Sequence, residues 1–147
     1  MTPKYYKGQK ARRSNIMAHF SLHLEATIFT AEGYAILQAI HHVTHKKEDA
    51  IICSDSKSVI KALHAQHEKS TLIQTINTIL NQRHILSLQT KLIWTPAHKG
   101  IPINEQADKL AKTNPPNSNI THYITAEDLN SLIKSDNEKY MNNKWNT

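Results

Sequence analysis

Ala50-Ile51-Ile52-Cys53 is a short, wholly apolar run set between two helical periodicities, and this ordering constrains the fold more than any other feature of the chain. Upstream, Ala35, Ile36, Ala39, Ile40 and Val43 recur at steps of three and four and share one face of a helix from Thr30 or Ala31 to about Thr44. Downstream, Val59, Ile60 and Leu63 mark a second helix. A short apolar strand between helices is the kind buried on both faces of a parallel sheet. Leu72, Ile73, Ile76, Ile79 and Leu80 predict a third helix, and Leu86 to Trp94 a further strand. Thr95 to Ile103 reads as a loop, and Asn104 to Thr113 as a fourth helix with Ala107, Leu110 and Ala111 inward. Asn114 to Ser118 breaks that helix. A last one is expected from about Thr125, capped by Thr125 with Asp128 three residues on. Ahead of all these, residues 1–14 read as a loose basic arm or frayed edge strand, and Ile16 to Phe29 as one or two strands. Strands alternating with helices make the fold class α/β.

The length of 147 residues suits one domain with a real core. A formal charge of +6 favours anionic partners, of which nucleic acid is the commonest. Cys53 is the single cysteine, so no intrachain disulfide can form, which fits a reducing compartment. The first residues hold no apolar core for a signal peptide, and no apolar run could span a bilayer. The expectation is a soluble intracellular protein of cytoplasm or nucleus, with no membrane partner. Lys10-Ala11-Arg12-Arg13 reads as a solvated basic stretch before it reads as a nuclear address.

Each candidate site residue has a plain alternative. Glu32 shares the apolar helix face, where a charge is costly unless paired or metal-bound, yet a first-turn acid is also favoured by the helix dipole. Asp55 follows an apolar strand at the edge where α/β sheets gather ligands, but Ser54, Asp55 and Ser56 are all good helix caps. Asp108, between Ala107 and Ala111, faces either the sheet or solvent. His98, in the loop Pro96-Ala97-His98-Lys99-Gly100, is a candidate proton shuttle or one solvated histidine among ten. Three carboxylates at strand ends and helix starts are the donor set that Mg²⁺ takes alongside water and phosphate oxygens. Two such ions can stabilise both oxygens of phosphodiester hydrolysis. His41 and His45 lie one turn apart but lack further zinc ligands. No phosphate loop, dinucleotide fingerprint or nucleophile elbow occurs.

Together these segments resemble a known family. Thr30-Ala31-Glu32 opening an Ala/Ile/Leu helix resembles the first catalytic helix of type 1 ribonucleases H. Ile51-Ile52-Cys53-Ser54-Asp55-Ser56 followed by Val59-Ile60 resembles the strand that delivers their next aspartate. Trp94-Thr95-Pro96-Ala97-His98-Lys99-Gly100 resembles their histidine loop, and Asn104-Glu105-Gln106-Ala107-Asp108-Lys109-Leu110-Ala111 their last aspartate helix. The phrases Ile-Phe-Thr-Ala-Glu and Trp-Thr-Pro-Ala-His, and the tail ending Lys144-Trp145-Asn146, resemble the form found in insect-type non-LTR retrotransposons. The likeness runs from about Phe20 to the end, with three motifs in family order. It implies a three-layer α/β/α fold around a five-stranded mixed sheet, and hydrolysis of the RNA strand of an RNA–DNA hybrid with Mg²⁺ or Mn²⁺. It implies Glu32, Asp55 and Asp108 as metal ligands and His98 as the group that moves protons for product release. Recognition would combine phosphate contacts, for which Lys57, Lys61 and Lys99 are candidates, with RNA 2′-hydroxyls. A reverse transcriptase domain in a parent polyprotein is the implied partner. Residues 1–15 then form a basic arm or edge segment, 16–118 the ribonuclease H-like domain and 119–147 a helical tail.

The chain departs from this pattern at its start. The family opens with a strand bearing Asp-Gly-Ser, whereas here no aspartate precedes Asp49, and Glu25 matches no family ligand. The expectation is a truncated form whose sheet lacks its first strand and whose unpaired edge is left open. Three functions follow for comparison: a hybrid-cleaving nuclease, a nucleic-acid-binding remnant without activity, and a protein-interaction domain on the same scaffold.

Overall fold

The computed structural model describes residues 18, 20–65, 67, 70–97, 99–100, 102–112 and 121–145. Over these the order is α1 (Ile28–His45), β1 (Ala50–Ser54), α2 (Lys57–His64), α3 (Thr71–Ile85), β2 (Thr90–Trp94), α4 (Pro102–Lys112) and α5 (Ala126–Trp145). β1 and β2 run parallel, with Ala50 opposite Thr90 and Ser54 opposite Trp94. Five helices and this two-stranded parallel sheet make an α/β structure; the mixed five-stranded sheet and third layer are not seen among the described residues.

The core lies on one side of the sheet. Ile36, Leu37 and Ile40 of α1, Val59 and Ala62 of α2, and Leu72, Ile73 and Ile76 of α3 are buried together, with Ile52 and Leu92 packed against them. Because successive strand residues point to opposite faces, Ile51, Cys53 and Ile93 lie on the other side. All three are exposed, Ile51 by 66%. The apolar β1 run is therefore not buried on both faces as its composition suggests; the helices it contacts cover one face.

The helix α1 starts half a turn before the expected Thr30. Thr27 is its cap, accepting from the Thr30 N–H at 3.2 Å. Its buried stripe is also rotated from the expected one: Gly33, Ile36, Leu37 and Ile40 are buried, Ala35 is exposed, and Ala39 and Val43 are half-buried. Gly33 explains the rotation, since it lets α3 approach so closely that an added Cβ would lie 2.7 Å from Leu72 Cδ2. Leu72 is itself buried, so it has little room to yield. Gly33→Ala gains about 1 kcal/mol of helix propensity but incurs about 1–3 kcal/mol of overpacking, so a net loss near 1 kcal/mol is expected by chemical denaturation. The loss should shrink when Leu72→Val is added; an unchanged or stabilised Gly33→Ala chain would contradict so tight a contact.

Three further boundaries differ from the sequence reading. Among the described residues between Phe20 and Thr27 there is an isolated bridge at Ser21, whose carbonyl accepts from Thr121 N–H at 2.8 Å, but no strand. Ile28 and Phe29 belong to α1 instead, and Phe20 sits edge-on to Tyr34 with ring centroids 5.8 Å apart. β2 begins at Thr90 rather than Leu86, because α3 runs to Ile85 and Ser87 turns the chain at φ 60°. α4 begins at Pro102, two residues before Asn104, consistent with proline's fitness for a first helical turn.

Candidate active site

The C-terminal end of β1 carries Asp55, and its surroundings settle which residue caps α2. Ser56 is the cap: its hydroxyl accepts from Val59 N–H at 3.4 Å. Asp55 is thereby left out of capping, exposed at the strand end. Its backbone is fixed from two sides. The Asp55 carbonyl accepts from Lys57 N–H at 2.9 Å and from the Trp94 indole Nε1–H at 3.2 Å. Next to it, Thr95 N–H donates to the Ser54 carbonyl at 2.9 Å. The end of β2 therefore holds the turn that presents Asp55, and Lys57 Nζ stands 5.7 Å from the Trp94 ring centroid.

Glu32 and Asp108 arrive from two helices. A cavity of about 350 Å³ is lined by Glu32, Ala35, Ile36 and Ala39 of α1, by Ile52 to Asp55, and by Ala107, Asp108 and Ala111 of α4. The three carboxylates singled out in the sequence thus face one cavity at the strand end. Glu32 and Asp108 are half-buried there. Asp108 is held by Lys112, one helical turn on, at 2.8 Å. His98 lies outside the described residues.

Oxygen donors from carboxylates are the right chemistry for Mg²⁺ or Mn²⁺. The geometry is not closed around an ion, however: among the described residues no three acid, histidine or cysteine side chains come near enough together to hold one. The same holds for His41 and His45, both exposed on α1. Lys57, Lys61 and Lys99 are all exposed, as phosphate contacts require.

Two acids missed as site supports come from α5. The expected pairing of Thr125 with Asp128 is present: Asp128 N–H donates to Thr125 Oγ1, and Thr125 N–H to Asp128 Oδ2, both at 3.1 Å. Beyond this local box, Asp128 Oδ1 accepts from Thr27 N–H at 3.2 Å, so one buried carboxylate ties the starts of α5 and α1 together. Burial by itself would raise the Asp128 pKa, but hydrogen bonds from Thr30, Thr125 and Thr27 outweigh it and hold the carboxyl below its ordinary value. Glu127 accepts from Thr71 N–H at 2.9 Å and from the Thr71 hydroxyl at 3.3 Å. It satisfies the start of α3, where Ser70 makes no side-chain cap bond, and the backbone bond from Thr71 holds its pKa low. The first turn of α5 therefore staples the helix that carries Glu32.

No helix among the described residues is long and apolar enough to cross a membrane. No solved structure was found to match the chain. The RNase H family model matches residues 5–115, a span that takes in Glu32, Asp55, His98 and Asp108. With that match over most of its length, and with the three carboxylates on one cavity, the chain belongs to the RNase H family.

Proposed function

We propose that this domain is built to hydrolyse the RNA strand of RNA–DNA hybrids, with Glu32, Asp55 and Asp108 as the metal-binding carboxylates and His98 as proton carrier. The observation that carries this reading is the convergence of the three acids on one cavity at the end of β1. The net charge of +6 and the exposed Lys57, Lys61 and Lys99 suit a polyanionic substrate. Bound Mg²⁺ or Mn²⁺ would supply charge neutralisation at the scissile phosphate. The chain's own part is to present Asp55 on the turn held by Trp94, and Glu32 from a helix anchored by Asp128. The likeness of Ile28 to Glu32 and of Trp94 to His98 to non-LTR retroelement sequences supports a retroelement setting, with a reverse transcriptase domain as companion. In this reading residues 16–118 are the nuclease domain and 119–147 a helical tail.

A second reading concerns the 147 residues by themselves: binding to hybrid without turnover. It is favoured by the absence of any aspartate before Asp49 and of a closed three-ligand group among the described residues. Incubation of the purified chain with labelled hybrid and Mg²⁺ or Mn²⁺, beside Asp55→Asn, separates the two. The expected result is salt-sensitive binding without cleavage. Cleavage that disappears in Asp55→Asn would overturn the inactive reading in favour of the nuclease. Loss of hybrid binding altogether would count against both.

A further inference from the structure

A hollow of about 430 Å³ opens beside the start of β2, between the last turn of α2 and one face of α3. It shares no lining residue with the carboxylate cavity. The strand from Thr90 on its wall to Trp94 beside Asp55 is about 13 Å long at about 3.3 Å per residue, so the two hollows lie at opposite ends of β2. The floor is half-buried and holds Leu63, Leu80 and Leu92 together with Asn77. The rim is exposed and holds His64, His84, Gln89 and Lys91. Among the described residues no acid lines it.

The polar groups here are not used up by the fold. His64 Nδ1 donates to the Ile60 carbonyl at 2.7 Å, which fixes the ring and leaves Nε2 for another partner. His64 and His84 stand in the last turns of α2 and α3, where a helix end favours a cation in any case. No such reason applies to Asn77, an amide set in a leucine floor. Neither its side chain nor that of Gln89 has a hydrogen-bond partner among the described residues. A half-buried amide without a protein partner is left for water or a ligand. Apolar walls suit the face of a base, amides pair with a base edge, and a cationic rim without an acid suits a phosphate.

We propose that this hollow binds one unpaired nucleotide, with Asn77 and Gln89 at the base edge and His64, His84 and Lys91 around the phosphate. Its volume lies toward the lower end of the range for small-molecule sites, which suits a single nucleotide and not a duplex. The binding does not depend on the chemistry proposed for Glu32, Asp55 and Asp108, so either reading can fail alone.

Titration of the isotope-labelled full chain with adenosine 5′-monophosphate, and separately with inorganic phosphate, tests this by NMR without added metal. Adenine is the base of choice because an Asn or Gln amide pairs with its N6 and N7 edge. The side-chain amide signals of Asn77 and Gln89 and the methyls of Leu63, Leu80 and Leu92 should move together. Phosphate alone should bind at least about tenfold more weakly than the nucleotide. Asn77→Leu and, separately, His84→Glu should each weaken nucleotide binding about tenfold. Unchanged backbone signals at Ile36, Ile40 and Ile76 certify the fold of both variants. Displacement of the mononucleotide by a hybrid with a single-stranded overhang, and not by a blunt one, would make a nucleic-acid strand the source. Displacement by neither would make a free nucleotide the ligand. The proposal is overturned by the absence of shifts at these residues up to about 10 mM nucleotide, a concentration above any useful affinity. It is overturned equally by phosphate binding as tightly as the nucleotide, by displacement with the blunt hybrid, or by affinity indifferent to both variants.

Discussion

Replacing Arg83 with methionine should lower the stability of the fold by about 3 kcal/mol, or roughly 10 °C in Tm for a chain of this length. Arg83 is fully buried although it sits on α3, between the exposed Gln82 and His84. A buried guanidinium is tolerable when its donors are met. Here Nε donates to Thr90 Oγ1 at 2.7 Å, Nη1 to Thr44 Oγ1 at 3.0 Å and Nη2 to the Glu48 carbonyl at 2.6 Å. These partners lie at the start of β2, in the last turn of α1 and in the turn before β1, so one side chain joins three parts of the fold. Methionine keeps the apolar stem but leaves two hydroxyls and a carbonyl without their donor. The informative companion is Arg83→Lys. A compact ammonium cannot span three acceptors set around a planar fork, so lysine should do no better than methionine. If Arg83→Lys kept wild-type stability by thermal denaturation, buried charge rather than the three-pronged geometry would be what the site requires.

Arg83 also shows where the sequence stops being legible. The periodicity of α3 is plain, and Leu72, Ile73 and Ile76 are buried as their spacing suggests. Nothing local distinguishes Arg83 from a solvated helix cation, because its partners stand 7, 35 and 39 residues away. The same division runs through the site. Glu32, Asp55 and Asp108 were identifiable because each sits in a short motif at a strand end or helix start, and they do share a cavity. The capping choice at Ser56 over Asp55 was not decidable, since all three residues of that turn are competent caps. The face of α1 is hard to read for a related reason: Gly33 carries no hydrophobic side chain to count, yet it sits in close contact with Leu72 of α3 in the core. Leu86 and Leu88 imitate the alternation of a strand, but they flank the positive-φ turn at Ser87. Ile51 is as apolar as Ile52, and sequence cannot say which face of β1 a helix will cover.

The second large effect is expected at Asp128. Asp128→Ala removes two connections: the acceptor for Thr125 N–H, which is the carboxylate's half of the α5 capping box, and the acceptor for Thr27 N–H 101 residues away. The bond from the residue-128 N–H to Thr125 Oγ1 uses only the backbone and is kept. Two buried or half-buried backbone donors lose their partner, at about 1–3 kcal/mol each before relaxation, so a loss of about 2–3 kcal/mol at neutral pH is expected. The sign of the pH dependence follows from the lowered carboxyl pKa. The unfolded chain titrates near the ordinary aspartate value of about 3.9, and the folded one below it. The stabilisation is thus present above about pH 4 and fades as pH falls through the folded value. Urea denaturation of both chains at pH 7 and pH 3 should show the gap narrowing at the lower pH; a constant gap would mean that packing, not the ionised carboxylate, supplies the effect. A structural consequence separates this staple from a generic core contact. Because Asp128 holds Thr27 at the start of α1, Asp128→Ala should speed amide exchange over Thr30 to Gly33, around Glu32, while the last turn of α1 at His42 to His45, secured through Thr44 and Arg83, keeps its protection.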